Sequence, residues 1–398
     1  MFRQSTIIWI VFLGFVALVT GQGLLALICM LLLLTSWLSQ LWDRWSLVRI
    51  DYQRQFSQNH AFPEDELDFT IRIANRKPLP LPRLEVYESI PAGIDVLDQV
   101  LKKDSQGRSM LFRSTSMRWY EALTWHYRIR CHKRGIYRFG PSELEAGDPF
   151  GFNRTQLIVE EPSVLIVYPR LLNSDQLGLL PRQPLGELRA RQLIQDPMRT
   201  VGVRDYQPSD PLKSIHWNAS ARVGNLQTRI YETTTANELA IFLDIETFEH
   251  YWEGIDEQLV EHLISATATI AKMAIDEGYA VGMYTNSALA DNAELSEISP
   301  ARTPAQLLQI MDILARLSDV SVMPMAQLLR YQSRRLSNSA TIVMISATKS
   351  EALQATMLDA RARGRSIMWI YMGSDTPPAL PNIIVKHAPK VQFQEAKL

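Results

Sequence analysis

Residues 4–42 read QSTIIWIVFLGFVALVTGQGLLALICMLLLLTSWLSQLW, 39 consecutive positions without Asp, Glu, Lys or Arg. The window splits at Thr20-Gly21-Gln22-Gly23 into two apolar runs, Ser5–Val19 and Leu24–Leu38. A spanning helix takes about 17–25 residues to cross a hydrocarbon core of roughly 30 Å. Taken with their flanks, about 4–20 and 23–41, both runs reach the low end of that range. The Gly-X-Gly turn between them predicts a two-helix transmembrane hairpin within residues 1–45. Each Leu or Ile of the second run favours insertion by about 0.3–0.6 kcal/mol, and no charge opposes it. Trp37, Trp42 and Trp45 stand near its end, where an aromatic belt places them. A cleaved signal peptide predicts one short apolar run rather than two, and a lipoprotein signal wants a small residue where Ile28 precedes Cys29. Arg3 precedes the window and Arg44, Arg49 and Arg54 follow it, with none in the turn. The positive-inside rule then puts both termini and the main body in the cytoplasm.

Around this head the chain is balanced. Its 398 residues carry 41 Lys+Arg against 42 Asp+Glu, a formal net charge of −1. That excludes a polybasic nucleic-acid binder and an acidic solvating tail. The body beyond the head is long enough for about two domains, each with its own core. Its two cysteines, Cys29 in the head and Cys131 far from it, form neither a disulfide framework nor a CxxC metal motif.

Over residues 46–170 the hydrophobic period is two. Phe69, Ile71 and Ile73 alternate with Thr70 and Arg72; Leu123, Trp125, Tyr127, Ile129 and Cys131 alternate with Thr124, His126, Arg128 and Arg130. Strands with one buried and one wet face, separated by Pro/Gly turns, predict a β-sandwich-like domain. Its cluster His126, Arg128, Arg130, His132, Lys133, Arg134 and Arg138 reads either as a contact for anionic lipid or nucleic acid or as the solvated face of a strand pair. Alternation alone already demands polar residues there, which favours the second reading, so no nucleic-acid partner is expected. Cys131 and the pair His126 and His132 point to opposite faces and make no zinc site.

Residues 171–235 link this domain to the next. Within them, RTVGVRDYQPSDPLKSIHWNASAR (199–222) is the most distinctive stretch. Asp210 before Pro211 predicts a helix start, Leu212, Ile215 and Ala219 an apolar stripe with Trp217 buried nearby, and Gly224 the stop. The spaced residues Arg204, Tyr206, Pro208, Asp210, Ile215, Trp217, Ser220, Ala221 and Arg222 resemble the motif of the domain of unknown function 58 family. Asp205, Ser209 and His216 depart from its Glu, Gly and Asp. Arg134-Gly135-x-Tyr137 and Asp148-Pro149-Phe150-Gly151 resemble two further patterns of that family. With the two-helix head, the resemblance covers nearly the whole chain. Asp210, His216 and Ser220 also spell a Ser-His-Asp set on paper. The last two sit four apart on one helix, Asp210 is taken as a cap, and no nucleophile elbow accompanies them. A structural or partner-binding role, with Asp210 and Arg222 bridging two domains, is the preferred reading.

Residues 236–398 alternate strands and helices. Glu238–Ile245 is a continuous apolar strand, followed by a helix carrying Leu259, Leu263, Ala266, Ile270 and Ala274 and stopped by Gly278. Tyr279–Tyr284, Thr341–Ile345 and Ser366–Met372 read as further strands, with helices from Thr303-Pro304, around Leu328–Leu336 and over Glu351–Arg363. Such a pattern predicts a doubly wound α/β domain with a parallel sheet, whose ligands lie beyond the carboxyl ends of the strands, where Asp244 stands. The resemblance implies a von Willebrand A-like domain and, in the active form of that fold, Mg²⁺ held by Asp-x-Ser-x-Ser. Here Glu246 and Phe248 occupy the serine positions and Ser346-Ala347 a further acidic one. Asp244, Glu246 and Thr247 are therefore a degenerate site, and no cofactor is expected. The resemblance further implies a bacterial inner-membrane protein whose partner is a MoxR-type AAA+ ATPase. The function expected is a non-enzymatic interaction scaffold, anchored in the bilayer through residues 4–41. The competing functions are a metal-assisted hydrolase using Asp244 and Glu246, a hydrolase built on His216, and a lipid- or nucleic-acid-binding module acting through Arg128, Arg130 and Arg134.

Overall fold

A computed structural model describes residues 4–103, 107–149, 153–173, 177, 194–208, 210–234, 238–249, 251–290, 295–337 and 339–388. The chain divides into two units, Met1–Tyr168 and Pro169–Leu398.

The first unit opens with helix α1 (Gln4–Val19) and helix α2 (Gly23–Ser46). Gly21, at φ 72°, takes the left-handed turn between them. At 1.5 Å per residue α1 is about 24 Å long and α2 about 36 Å. Of the described helices, only α2 is long and apolar enough to cross a membrane, with a mean hydropathy of 2.1 over its best window. A Cβ built on Gly14 of α1 would lie 3.2 Å from the Cβ of Cys29 on α2, so the small residue permits the helices to approach closely.

Twelve strands follow. They are β1 (Ile50–Phe56), β2 (His60–Ala61), β3 (Glu66–Asn75), β4 (Leu81–Ile90), β5 (Ile94–Val96), β6 (Lys102–Lys103), β7 (Ser109–Met117), β8 (Ala122–Cys131), β9 (Gly135–Phe139), β10 (Ser142–Gly147), β11 (Arg154–Val159) and β12 (Ser163–Val167). They make sheets ordered β1-β3-β8-β5, β11-β10-β4-β7-β6 and β2-β12-β9. Phe69, Ile71, Ile73 and Ile129 from the first sheet share one core with Leu84, Val86 and Leu144 from the second. The period-two expectation holds on β3 and β8: Phe69, Ile71, Ile73, Tyr127, Ile129 and Cys131 are buried, while Arg72, His126 and Arg128 are exposed.

A buried ion pair crosses this core. The guanidinium of Arg54 on β1 lies 3.1 Å from the Glu88 carboxylate on β4, with side chains 2% and 0% exposed. Tyr52 and Ser142 also donate to Glu88. Arg54 Nη1 donates to the carbonyls of Phe139 (2.9 Å) and Glu161 (2.7 Å), and Nη2 donates to Ser142 Oγ (2.9 Å). Burial pushes Glu88 up, and Arg54 then pulls it back. Arg54 is thus an internal fastener of the sandwich, which leaves Arg44 and Arg49 as the exposed cations after the apolar head.

Helix α2 is fastened to the same sandwich. Ser36, Ser39 and Ser46 are buried along one side of it. Ser39 donates to Asp148, and Asn153 donates to Ser39 Oγ (2.9 Å) and, through its backbone, to Asp148 Oδ1 (3.2 Å). Lys77, in the turn between β3 and β4, donates to the carbonyls of Ser46 and Val48 (3.0 Å to the latter), where α2 ends. A helix end leaves such carbonyls unpaired and carries partial negative charge, so a buried ammonium satisfies both demands.

The second unit begins with β13 (Ile194–Asp205), helix α3 (Trp217–Val223) and β14 (Gln227–Thr234), which pairs with β13. Its main sheet contains β15 (Glu238–Leu243), β16 (Ala280–Leu289), β17 (Leu295–Ala301), β18 (Leu317–Ser321), β19 (Thr341–Ser346), β20 (Ser366–Tyr371) and β21 (Ile384–His387), in the order β17-β16-β15-β19-β20-β21 with β18 beside β16. The pairs from β16 through β21 are parallel; β17 and β18 run antiparallel to β16. Helices α4 (Glu257–Asp276), α5 (Gln306–Arg316), α6 (Met325–Gln332) and α7 (Glu351–Ala362) cover it. Ala240, Phe242, Ile342 and Met344 pack with Leu329 of α6 and Met357 of α7. Their alternates Leu239, Ile241, Leu243, Val343 and Ile345 face the other way, where α4 packs. The predicted strands and helices are present, and helices cover both faces. The order places β15 and β19 side by side at the point where the winding reverses, and Asp244 stands at their carboxyl end.

Removing one partner of a fully buried ion pair costs about 3–5 kcal/mol. Arg54→Met is therefore expected to speed amide exchange in β1, β3 and β4 by a hundredfold or more. Exchange in β15 and β19 should not change, and hydrogen-exchange mass spectrometry of the full chain reads both.

Candidate functional site

The motif of residues 204–222 forms a small module on the β13–β14 hairpin, and its polar side chains are turned on one another. Arg204 grips Asp210 with two parallel hydrogen bonds, Nη1 to Oδ2 at 2.8 Å and Nη2 to Oδ1 at 2.6 Å. Asp210 also accepts from the Gln207 backbone (2.9 Å) and Thr228 Oγ1 (3.3 Å), and Arg204 first, then Gln207, holds its carboxyl below the usual range. Asp205 accepts from Gln227 Nε2 at 2.6 Å, and the Tyr206 N–H donates to the Leu226 carbonyl at 2.9 Å. Ser220 Oγ donates to the His216 carbonyl (3.0 Å) and accepts from the Gln227 N–H (2.8 Å).

Three expectations are corrected here. The helix starts at Trp217, not at Asp210-Pro211, which lead only into a short 3₁₀ turn over Leu212–Ser214. Its cap is His216, whose Nδ1 accepts the Ala219 N–H at 3.1 Å, because Arg204 has already claimed the Asp210 carboxylate. Trp217 is 65% exposed and Leu212 73%, so neither belongs to a core; Ile215 does. Asp210 is committed within the module, and Arg222 and Pro208 are exposed. The Ser-His-Asp set is not assembled: the Ser220 hydroxyl meets the backbone of His216, and the imidazole serves as a cap. Ser209 and Phe150-Gly151 lie outside the described residues.

Beyond β15 the polar groups are likewise committed. Asp244, 1% exposed, accepts at Oδ1 from Asn286 Nδ2 (2.8 Å) and the Glu246 N–H (3.2 Å), and at Oδ2 from Thr348 (3.3 Å). Glu246 accepts from Ser321 (3.1 Å), and Thr247 Oγ1 accepts from the Asp256 N–H (3.1 Å). Burial, and next the Glu246 carboxylate, push Asp244 up to about 7; burial also raises Glu246. Mg²⁺ wants ionised oxygen donors in near-octahedral array with room for water. A buried carboxylate already accepting three hydrogen bonds, in a stretch where Phe248 and Ala347 offer no side-chain oxygen, does not fit that ion.

Residues 202–364 match the family described as a protein of unknown function, DUF58. Uncharacterized protein YeaD of Bacillus subtilis is 22% identical over 285 residues, covering 71% of this chain and 63% of that protein. Among solved structures, a non-cellulosomal cohesin from Archaeoglobus fulgidus covers 29% of this chain and 91% of its own at 11% identity and a TM-score of 0.21. A type II cohesin domain from the cellulosome of Acetivibrio cellulolyticus covers 29% and 94% at 9% identity and a TM-score of 0.20. Likeness of that degree carries no argument.

Residues 202–364 leave the basic strand β8 outside the matched segment, and there Arg128, Arg130 and His132 are paired. Arg128 meets Asp98 at 3.0 Å, Arg130 meets Glu66 at 2.6 Å, and His132 lies 2.7 Å from Asp95 and 3.2 Å from Glu64. The partners come from β3, from β5 and from the loops beside them, which a reading along one strand does not bring together. Asn286, Ser321 and Thr348 around Asp244 were equally invisible, since only the sheet order gathers them.

A carboxyl whose folded pKa lies above its unfolded value of about 3.9 keeps its proton in the native state after the unfolded chain has lost it. The stability of the second unit is therefore expected to fall as pH rises from about 4 to 7, by at most roughly 1.4 kcal/mol per pH unit per group. Asp244→Asn should flatten most of that slope, because an amide does not titrate, and the Thr348 hydroxyl can turn to accept from it so that the site stays satisfied. Hydrogen exchange in β15 at pH 5 and pH 7.5 checks this.

Proposed function

We propose that this protein is a bacterial, inner-membrane-anchored interaction scaffold, working with an AAA+ ATPase of the MoxR type in assembly or envelope maintenance. Helices α1 and α2 cross the bilayer as a hairpin over about 4–20 and 23–41, with both termini and the main body in the cytoplasm. The sheet of the second unit is a von Willebrand A-like domain that has given up its metal and presents protein surface instead.

Trp217 carries the reading. An indole 65% exposed opens α3, a few residues from Leu212 at 73%, on a module whose polar motif residues are consumed internally. A frame spent on rigidity that leaves a tryptophan in water is the chemistry of a binding hot spot. The same commitments speak against an enzyme on His216, since none of its expected partners is free to act on it. The span is supported by α2 alone among the described helices, and the inside assignment by Arg44 and Arg49 at its end.

The full chain is purified in detergent and challenged with a MoxR-type ATPase of the same cell, held in its ATP state by a slowly hydrolysed analogue. A hot-spot tryptophan contributes about 2 kcal/mol or more, so Trp217→Ala should lower ATPase recovery at least tenfold. Amide exchange in β13 and β14 should be unaltered. Equal recovery by the variant, or no recovery by the unaltered chain, contradicts the proposal.

A further inference from the structure

Where α2 leaves the apolar segment, the first unit has a cleft of about 470 Å³. Leu38, Trp42 and Trp45 of α2 line one side; Lys77 and Leu79 of the turn before β4 line the other, with Arg49 at the end. The only charged side chains lining it, among the described residues, are these two cations. Arg49 is exposed, and Lys77 is buried against the last carbonyls of α2. Trp42 carries an indole N–H that is buried without a hydrogen-bond partner among the described residues.

We infer that this cleft is a binding site for one anionic phospholipid of the surrounding leaflet, its phosphate held by the exposed Arg49, with the buried Lys77 adding positive charge behind it, and an acyl chain laid along Leu38 and Trp42. The inference rests on the reading of α2 as a membrane span. The cleft begins on the apolar part of α2 and ends among cations, so its polarity runs in the same sense as a lipid entering from the bilayer. Trp45, 58% exposed, stands at the depth where aromatic rings meet headgroups. Basic groups at a membrane surface favour anionic over zwitterionic lipid, each by about a fivefold factor. A water-soluble anion would have no use for the apolar half of the cleft. A protein partner would have to reach a surface that the bilayer covers. The basic strand β8, by contrast, is neutralised by its own carboxylates.

Native mass spectrometry of the full chain, delipidated in detergent and titrated with phosphatidylglycerol or phosphatidylcholine, tests this. One phosphatidylglycerol should bind with at least a tenfold preference. Arg49→Asn, which suits the left-handed backbone there (φ 55°), should lower that affinity about fivefold, and Arg49→Lys should restore it. Val48→Trp, which fills the cleft from an exposed position and leaves both charges in place, should weaken binding as well. Equal binding of the two lipids, or affinity unmoved by Arg49→Asn and Val48→Trp, overturns the inference while leaving the anchor intact. Release of the chain from membranes by alkaline carbonate would overturn the anchor, and the lipid site with it.

Discussion

The ammonium of Lys77 holds the end of α2 to the β-sandwich, and the arrangement of the first unit depends on it. A helix that leaves a membrane ends in unpaired carbonyls at the place where water competes for them. In this chain a side chain from the β3–β4 turn fills that role from within the sandwich. Burial pushes Lys77 down to about 8, which still leaves it mostly protonated at neutral pH. Ser39, Asp148 and Asn153 add a second fastening more than one turn earlier along α2. Two fastenings on one helix fix direction as well as position. The sandwich therefore carries α2 as part of its own structure, and the helix is more than a tether.

The same economy governs the second unit. The motif of residues 204–222 builds a rigid hairpin: Arg204 on Asp210, Gln227 on Asp205, Ser220 between two backbone groups. Polar residues that suggest chemistry in a list are spent on geometry in space. Outward, beside the exposed Lys213, Asn218 and Arg222, stand apolar side chains that no core covers, with Leu212 and Trp217 foremost. At the sheet end, Asp244 is likewise satisfied by Asn286, Thr348 and the following backbone. The proposed scaffold function follows from this distribution, with the reactive groups turned inward and the sticky ones outward.

Much of this was legible in the sequence where one period dominates. The 39-residue charge-free window, the alternation in β3 and β8 and the apolar strand at Glu238 each report their own local structure. Their burial matches what the pattern demands. The reading failed where a residue's role is fixed by a distant partner. Arg54 looks like a flanking charge until Glu88 is brought across the core. Asp210 looks like a helix cap until Arg204, six residues back, takes its carboxylate and His216 caps in its stead. Asp148 belonged to a quotable pattern without a reason; the reason is Ser39, 109 residues earlier. Lys77 gave no signal at all, since a lysine in a turn is ordinary until a helix end is set against it.

Lys77 and the Ser39–Asp148–Asn153 cluster make α2 and the sandwich one rigid body. Double electron–electron resonance between nitroxides at Leu34→Cys and Glu160→Cys tests it most directly, with Cys29 and Cys131 replaced by alanine and the chain in lipid nanodiscs. A single narrow distance distribution is predicted, broadening when Lys77→Met and Asp148→Ala are introduced together. A broad distribution in the chain that keeps Lys77 and Asp148 would contradict the account, because it would make α2 a tether and nothing more.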